Sequence, residues 1–298
     1  AVTAGTYTLG TWQTLQLHKP IRMWGEGPGL SILNPQAKCR ALEIWDSGAI
    51  CEGLTITNGY QQTEISSVAG GVLMDGGILR DCWVVGNLAG VMGGGGITMR
   101  GGLVDRCRII GNQAARHGSG VYMTGGTLRN SLLDRNYSAG EYEGSTVYAA
   151  SGTRVENCTV VDNLNNVPDT SPRYFNTGGV LARAGGIVVN TIAWYNLNDA
   201  AASDMVVDGT VTYSAAPELA HDPEGTGNLS DISEPEFVHR DAGNYRLVEN
   251  SPCVNTGTPL DWMSSRALDL DGLRRVARLP DMGAHEYQPP AGILFMIR

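Results

Sequence analysis

The sequence predicts an all-β fold wound as a β-solenoid and finished by an irregular C-terminal tail. Three observations carry that expectation. A two-part motif recurs between residues 42 and 196, with no sustained i, i+3, i+4, i+7 apolar pattern of an amphipathic helix. The apolar residues instead alternate in short strands, broken by glycine pairs and asparagine. Glycine fills 40 of 298 positions, nearly twice the usual share, while charged residues make up 17% against a usual ~25%.

The first half of the motif reads Gly-Gly-Val-Leu-Met-Asp-Gly-Gly at 70–77. It returns at 95–102 and 119–126, and more loosely at 145–152 and 178–185. A degenerate earlier copy runs through Leu42, Ile44 and Asp46. The second half has an apolar residue, then Cys, Ser or Thr, then a closing Asn. Its copies run Leu79…Cys82…Asn87, Val104…Cys107…Asn112, Leu128…Ser131…Asn136, Val155…Cys158…Asn163 and Val188…Thr191…Asn196. Counting from Asn58, the closing asparagines are spaced by 29, 25, 24, 27 and 33 residues. A short repeat built of strands and turns is one rung of a solenoid, stacked on the last at roughly 4.8 Å.

Stacking lines equivalent side chains into columns. Ile44, Met74, Met99, Met123, Ala149 and Ala182 are expected to form one inward column, and Cys82, Cys107, Ser131, Cys158 and Thr191 another. Asn58, Asn87, Asn112, Asn136, Asn163 and Asn196 are expected to form a turn ladder of side-chain amides. The longer spacings imply loops at 59–69, 137–144 and 164–177. Coils are assigned to 1–214, and 215–298 to a Pro-, Gly- and Asp-rich tail that packs on the solenoid and caps it.

The Asn157-to-Asn163 stretch and its copies resemble the coils of right-handed parallel β-helix proteins of the pectate-lyase-like superfamily. Ala4-Gly5-Thr6-Tyr7 and Lys19 through Gly27 resemble their opening coils. Farther along come Glu234 to Val238, Asn244 to Leu247, Ser251 to Gly257, Asp269 to Gly272 and Asp281 to Tyr287. That series resembles the tail of secreted bacterial proteins labelled choice-of-anchor Q domain proteins. The resemblance implies an extracellular, bacterial cell-surface location. It also implies chemistry to look for, since enzymes of the superfamily are mostly polysaccharide lyases and glycosidases. A shared fold does not by itself license a reaction.

Composition removes several function classes. With 21 Lys plus Arg against 30 Asp plus Glu, the net charge is −9, and no basic stripe marks a nucleic-acid partner. No apolar run approaches membrane-spanning length. No zinc-type spacing of Cys or His occurs.

Candidate site residues are weighed against packing roles. The only lysines, Lys19 and Lys38, fall in the first coils, away from a central lyase base position. Asp75 and Arg100 lie on neighbouring rungs, assigned to a column with Asp46 and Arg183, and form either a cleft for an acidic sugar or Ca²⁺ or a solvated ion pair. His117, within Arg116-His117-Gly118-Ser119-Gly120, resembles the Gly-His-Gly element of polygalacturonase-type glycosidases, without the clustered aspartates those enzymes need. Asp269 and Asp271 are candidate Ca²⁺ ligands, although the spacing lacks the remaining ligands of an EF-hand. Arg80, Asp105, Arg129 and Glu156 alternate in sign from rung to rung and read as a charge ladder.

Tyr122 and Tyr148 on one outward column, and Trp83 on another, are candidate glycan-stacking residues, with Tyr142, Tyr174 and Phe175 in the loops. The cysteines of the inward column read as reduced core residues, and a Cys39–Cys51 bridge is an alternative for two of the others.

The N-terminal coil shows no cap, which implies either upstream domains of a longer chain or head-to-tail stacking on another copy. The apolar stretch Gly292 to Arg298 offers strand addition to a neighbour. The leading expectation is therefore a non-enzymatic extracellular module with a structural, adhesive or self-assembling role and no required cofactor. A polysaccharide lyase, glycosidase or glycan-binding module working in an outer groove is the alternative.

Overall fold

The computed structural model describes residues 1–10, 13–61, 69–90, 93–140, 144–166, 176–221, 225–275 and 279–289. Through them the chain winds as a parallel β-solenoid of about 7 turns. Three eight-stranded parallel sheets form its walls. Sheet 1 runs from Leu15–Leu17 through Leu42–Ile44, Val72–Met74, Ile97–Met99, His117–Met123, Ser145–Ala149 and Val180–Ala182 to Met205–Val207. Sheet 2 runs from Arg22–Trp24 through Ile50–Glu52, Ile78–Arg80, Leu103–Asp105, Thr127–Arg129, Arg154–Glu156 and Ile187–Val189 to Thr210–Thr212. Sheet 3 begins at Gly5–Thr8 and includes Thr55–Thr57, Trp83–Val85, Arg108–Ile110, Leu132–Asp134, Thr159–Val161 and Ile192–Trp194. Sheet 4 consists of two-residue strands, parallel from Tyr60–Gln61 to Leu197–Asn198 and closed by the antiparallel Ala201–Ala202.

Strand alternation decides which side chains are buried. In sheet 2 the middle residue points in, so Cys51, Leu79, Val104, Leu128 and Val155 stack without exposure. In sheet 1 the outer two residues of each strand point in. This places Ile44, Met74, Met99, Met123, Ala149 and Ala182 in one buried column, as the repeat predicts. Each fully buried Leu, Ile or Met contributes about 1.5–3 kcal/mol relative to exposure.

The Cys/Ser/Thr column lies just past sheet 2, and all six cysteines are free thiols. A shared hydrogen bond explains why Cys, Ser and Thr interchange here. Cys82, Cys107 and Cys158 donate Sγ–H to the carbonyls of Arg80, Asp105 and Glu156 at 3.2, 3.5 and 3.3 Å. Ser131 and Thr191 make the same bond to Arg129 and Val189 at 2.7 and 3.1 Å. The slot demands a small side chain with one donor. Cys39 and Cys51 are buried and unbridged.

The asparagine ladder is present, with one correction. Asn87 donates Nδ2–H to Asn112 Oδ1, Asn112 to Asn136, Asn136 to Asn163 and Asn163 to Asn196, at 2.9, 3.0, 3.0 and 2.8 Å. Each amide also donates to a carbonyl of the preceding rung, as Asn136 does to Ile109 at 2.9 Å. Asn58 is not a rung of this ladder. Thr57 pairs with Val85, so Asn58 sits opposite Gly86 in a left-handed turn (φ 54° and 63°). The backbone N–H of Gly59 takes the ladder slot and donates to Asn87 Oδ1 at 2.8 Å.

The ladder also explains the first glycine pair of the motif. A Cβ on Gly96 would lie 2.7 Å from the Gly120 carbonyl and 3.0 Å from Asn112 Nδ2, so the amides occupy the space a side chain would need.

The tail packs mainly against the outer face of sheet 3. Leu132 and Val161 meet Tyr245, Leu270 and Ala284, while Ile192 and Trp194 meet Leu247, Cys253 and Met282. Polar contacts fix its position. Ala284 N donates to Thr159 Oγ1 at 2.9 Å, and Asn190 exchanges two 2.8 Å bonds with Thr258. The C-terminal end of the solenoid is closed by the segment after the last coil. Ala216 and Leu219 enter the core, and Ala215 bridges Ile192 to Leu229. The stretch 292–298 lies outside the described residues.

Candidate functional site

The outer face of sheet 1 brings together most of the residues that the sequence marks out. The outward middle positions form a column Gln16, Glu43, Leu73, Thr98, Tyr122, Tyr148, Leu181 and Val206. One step past the strands, Asp75 and Arg100 occupy neighbouring rungs. Asp46 is not in that column. The turn from Ile44 to Ile50 is longer than its later counterparts, so Trp45 takes the position beside Asp75 and stacks on His18 at 5.8 Å. Asp46 instead accepts from Gly48 N at 2.8 Å to hold the turn.

Tyr122 and Tyr148 stack with centroids 4.7 Å apart and planes 11° apart, and His117 lies against Tyr148 at 5.0 Å. His117 is 8% exposed, and its Nδ1 lies 3.3 Å from Ser145 Oγ. Packed this way, the imidazole supports the aromatic platform and does not reach into solvent. The strand that carries it is the longest in sheet 1, His117–Met123, and its register with Ser145–Ala149 shifts between His117 and Val121.

Beside the platform, Arg100 Nη1 lies 3.3 Å from Asp75 Oδ1, both groups partly exposed. Exposed pairs of this kind contribute only ~0.2–1 kcal/mol. Farther down the face Arg40 pairs with Glu43 and donates to the Ala69 carbonyl at 3.0 Å. Burial, aided by the nearby Arg100 charge, lowers the Arg40 pKa, while Glu43 opposes the shift. Glu43 also accepts from Gln16 Nε2 at 2.7 Å and Trp45 Nε1 at 3.1 Å. This corner is a self-satisfied ion-pair network. Lys38 is distant from this face in role, donating to Gln36 Oε1 in its own turn at 2.8 Å.

The remaining candidates lie elsewhere. Trp83, 40% exposed, stands on sheet 3 between Thr55 and Arg108, on a different wall from the tyrosines. Asp269 is fully buried, and its carboxylate accepts from the backbone N–H groups of Asp271, Leu273 and Glu286 at 3.0, 2.8 and 2.9 Å. Asp271 is held by Arg108 at 3.1 Å and Arg246 at 2.7 Å. These oxygens shape and anchor the tail, a donor set that suits backbone and guanidinium groups in place of Ca²⁺. Among the described residues, no group of three or more His, Cys, Asp or Glu is placed to hold a metal ion. Tyr142, Tyr174 and Phe175 lie outside the described residues.

The chain matches no known family profile and no curated protein. Among solved structures it is similar to the crystal structure of pectate lyase Pel9A, with a TM-score of 0.51 over 96% of this chain and 87% of that one. The two share the parallel β-helix fold. Their sequences are 14% identical, so the likeness concerns architecture alone.

Sequence reasoning missed the outer face of sheet 2 as a wall with a tryptophan at each end of its charge ladder. Trp24 heads the charge ladder there, and Trp262 reaches it from the tail, donating Nε1–H to Glu156 Oε2 at 2.7 Å. Trp24 and Glu52 extend the predicted column by register, which strand alternation alone would have shown. The contact of Trp262 with Glu156 spans 106 residues and left no local signal.

Proposed function

We propose that this chain is a non-catalytic, extracellular β-solenoid that adheres to carbohydrate through the outer face of sheet 1. The stacked Tyr122–Tyr148 pair beside the Arg100–Asp75 pair carries the reading. Two stacked rings backed by His117 give a rigid apolar ridge against which a sugar ring can pack, and the ion pair supplies donors and acceptors at its edge. The groups that would perform cleavage are otherwise engaged. His117 is packed beneath the platform, the Arg100 guanidinium is paired, and the two lysines belong to the first coils. The tail's resemblance to choice-of-anchor Q domain proteins supports a bacterial cell-surface setting.

Retention of the purified protein on immobilised polysaccharides, polygalacturonate and glucomannan included, tests the reading. Tyr122→Ala and Tyr148→Ala are each expected to weaken retention roughly ten-fold, the equivalent of about 1.4 kcal/mol. Unchanged retention in the double variant, with its fold intact, would remove sheet 1 as the adhesive face.

A further inference from the structure

The outer face of sheet 2 is a second surface with its own chemistry. Its outward positions form two parallel columns. One carries Ile50, Ile78 and Leu103, half-buried and in register, between Arg22 at one end and Thr127 and Arg154 at the other. The other runs Trp24, Glu52, Arg80, Asp105, Arg129, Glu156.

Two clefts open on this strip. One, of about 470 Å³, lies among Trp24, Glu52, Arg80, Asp81 and Arg106. The other, of about 620 Å³, lies between the strip at Leu103, Arg129 and Arg154 and the tail loop Pro259 to Trp262. From the Trp24 rung to the Glu156 rung is five rungs, or about 24 Å.

The charges on the strip are paired throughout. Glu52 holds Arg22 and Arg80, and Arg106 makes a two-pronged contact with Asp81 at 2.8 Å while also reaching Asp105. Arg129 bonds Asp105 at 3.1 Å, and Arg154 bonds Glu156 at 2.5 Å. A polyanion would have to displace these carboxylates from their guanidinium partners, and a polycation the reverse. A neutral hydroxyl both donates and accepts, so from the solvent side it can donate to a carboxylate and accept from its guanidinium partner while the pair stays in contact.

Aromatic rings stand at both ends. Trp24 is 45% exposed, with the Arg22 guanidinium 5.7 Å from its ring centroid. Trp262 is oriented by its bond to Glu156 and by Arg129, 4.5 Å over its ring. Apolar stripe, paired polar ladder and terminal rings together suit the alternating C–H and O–H faces of a sugar chain.

We propose that the outer face of sheet 2 binds an extended neutral polysaccharide, laid along the solenoid axis between Trp24 and Trp262. The inference goes beyond the sheet 1 reading and does not depend on it.

Affinity electrophoresis in gels containing glucomannan, with polygalacturonate as the anionic counterpart, tests the proposal. Trp24→Ala and Trp262→Ala are each expected to weaken glucomannan retardation several-fold, and the double variant at least ten-fold. Added salt should change it little, since no net charge is matched. The fold-loss on removing the two tryptophans should be the same in a Tyr122→Ala/Tyr148→Ala background as in the wild type, which separates failure of this face from failure of sheet 1. Trp24 is an exposed side chain on the first strand of its sheet, so its loss should leave thermal unfolding near wild type and keep the test interpretable. Two results would overturn the proposal: glucomannan retardation unchanged in the double variant, or retardation seen only with polygalacturonate and abolished by salt.

Discussion

Asn136→Ala is expected to lower the unfolding free energy by about 4 kcal/mol or more. Asn136 is 1% exposed and sits mid-ladder. Its Oδ1 accepts both the backbone N–H and the Nδ2–H of Asn112, each at 3.0 Å. Its own Nδ2 donates to the Ile109 carbonyl at 2.9 Å and to Asn163 Oδ1 at 3.0 Å. Alanine strands the Asn112 backbone N–H and one Nδ2 hydrogen of Asn112, and removes a bond from the carbonyls of Ile109 and Asp134; each unsatisfied buried group costs roughly 1–3 kcal/mol. The bond from Asn136 N to Asn163 Oδ1, at 2.8 Å, survives because it is backbone. Urea unfolding of the two proteins checks the expectation, and a loss below about 1 kcal/mol would mean that water satisfies the ladder as well as its neighbours do.

The second large effect lies where the ladder ends. Asp204, 2% exposed, accepts the N–H and Nδ2–H of Asn196 at 2.6 and 2.8 Å, so a carboxylate caps a column of amides. Burial pushes its pKa up to about 7; the Asn196 bonds pull it down, and Glu218, which accepts Asp204 N at 2.8 Å, pushes it further up.

A carboxyl whose pKa is higher folded than unfolded binds its proton more tightly in the fold. The resulting stability is fully present below the unfolded value of ~3.9 and is lost as the pH rises through about 7. The swing is on the order of 4 kcal/mol. Asp204→Asn keeps the acceptor and removes the charge. The variant should therefore match the wild type near pH 4, exceed it in stability progressively between about pH 4 and pH 7, and keep a constant lead above neutrality. Urea midpoints measured for both across that range provide the check, and a difference that does not vary with pH would contradict the assignment.

The columns were legible in the sequence because neighbouring rungs impose the same environment on equivalent residues. Met74, Met99 and Met123 share one slot, and Cys107 and Ser131 share another with the same hydrogen bond. Legibility failed where that constraint lapses. In the early coils a longer turn shifted Trp45 into the place expected for Asp46, and Gly59 took the slot expected for Asn58. Both are one-residue slips, the kind a degenerate first repeat permits.

The path of the tail was the other illegible part. Its docking on sheet 3 depends on contacts such as Asn157 to Asp281 and Arg108 to Asp271, separated by 124 and 163 residues. The candidate site was half legible. Tyr122, Tyr148, His117, Arg100 and Asp75 do share a face, whereas Trp83 and the aspartates at 269 and 271 lie on other parts of the molecule.

The most direct test of the central claim, that this solenoid holds carbohydrate without cutting it, follows polysaccharide chain length during prolonged incubation with the protein. Light scattering reports the length, ultraviolet absorbance reports unsaturated sugar ends, and retention is measured on the same samples. The account predicts retention with chain length and absorbance unchanged. Shortening of any retained polysaccharide, lost on Arg100→Ala with the fold intact, would show that the sheet 1 face is an active site.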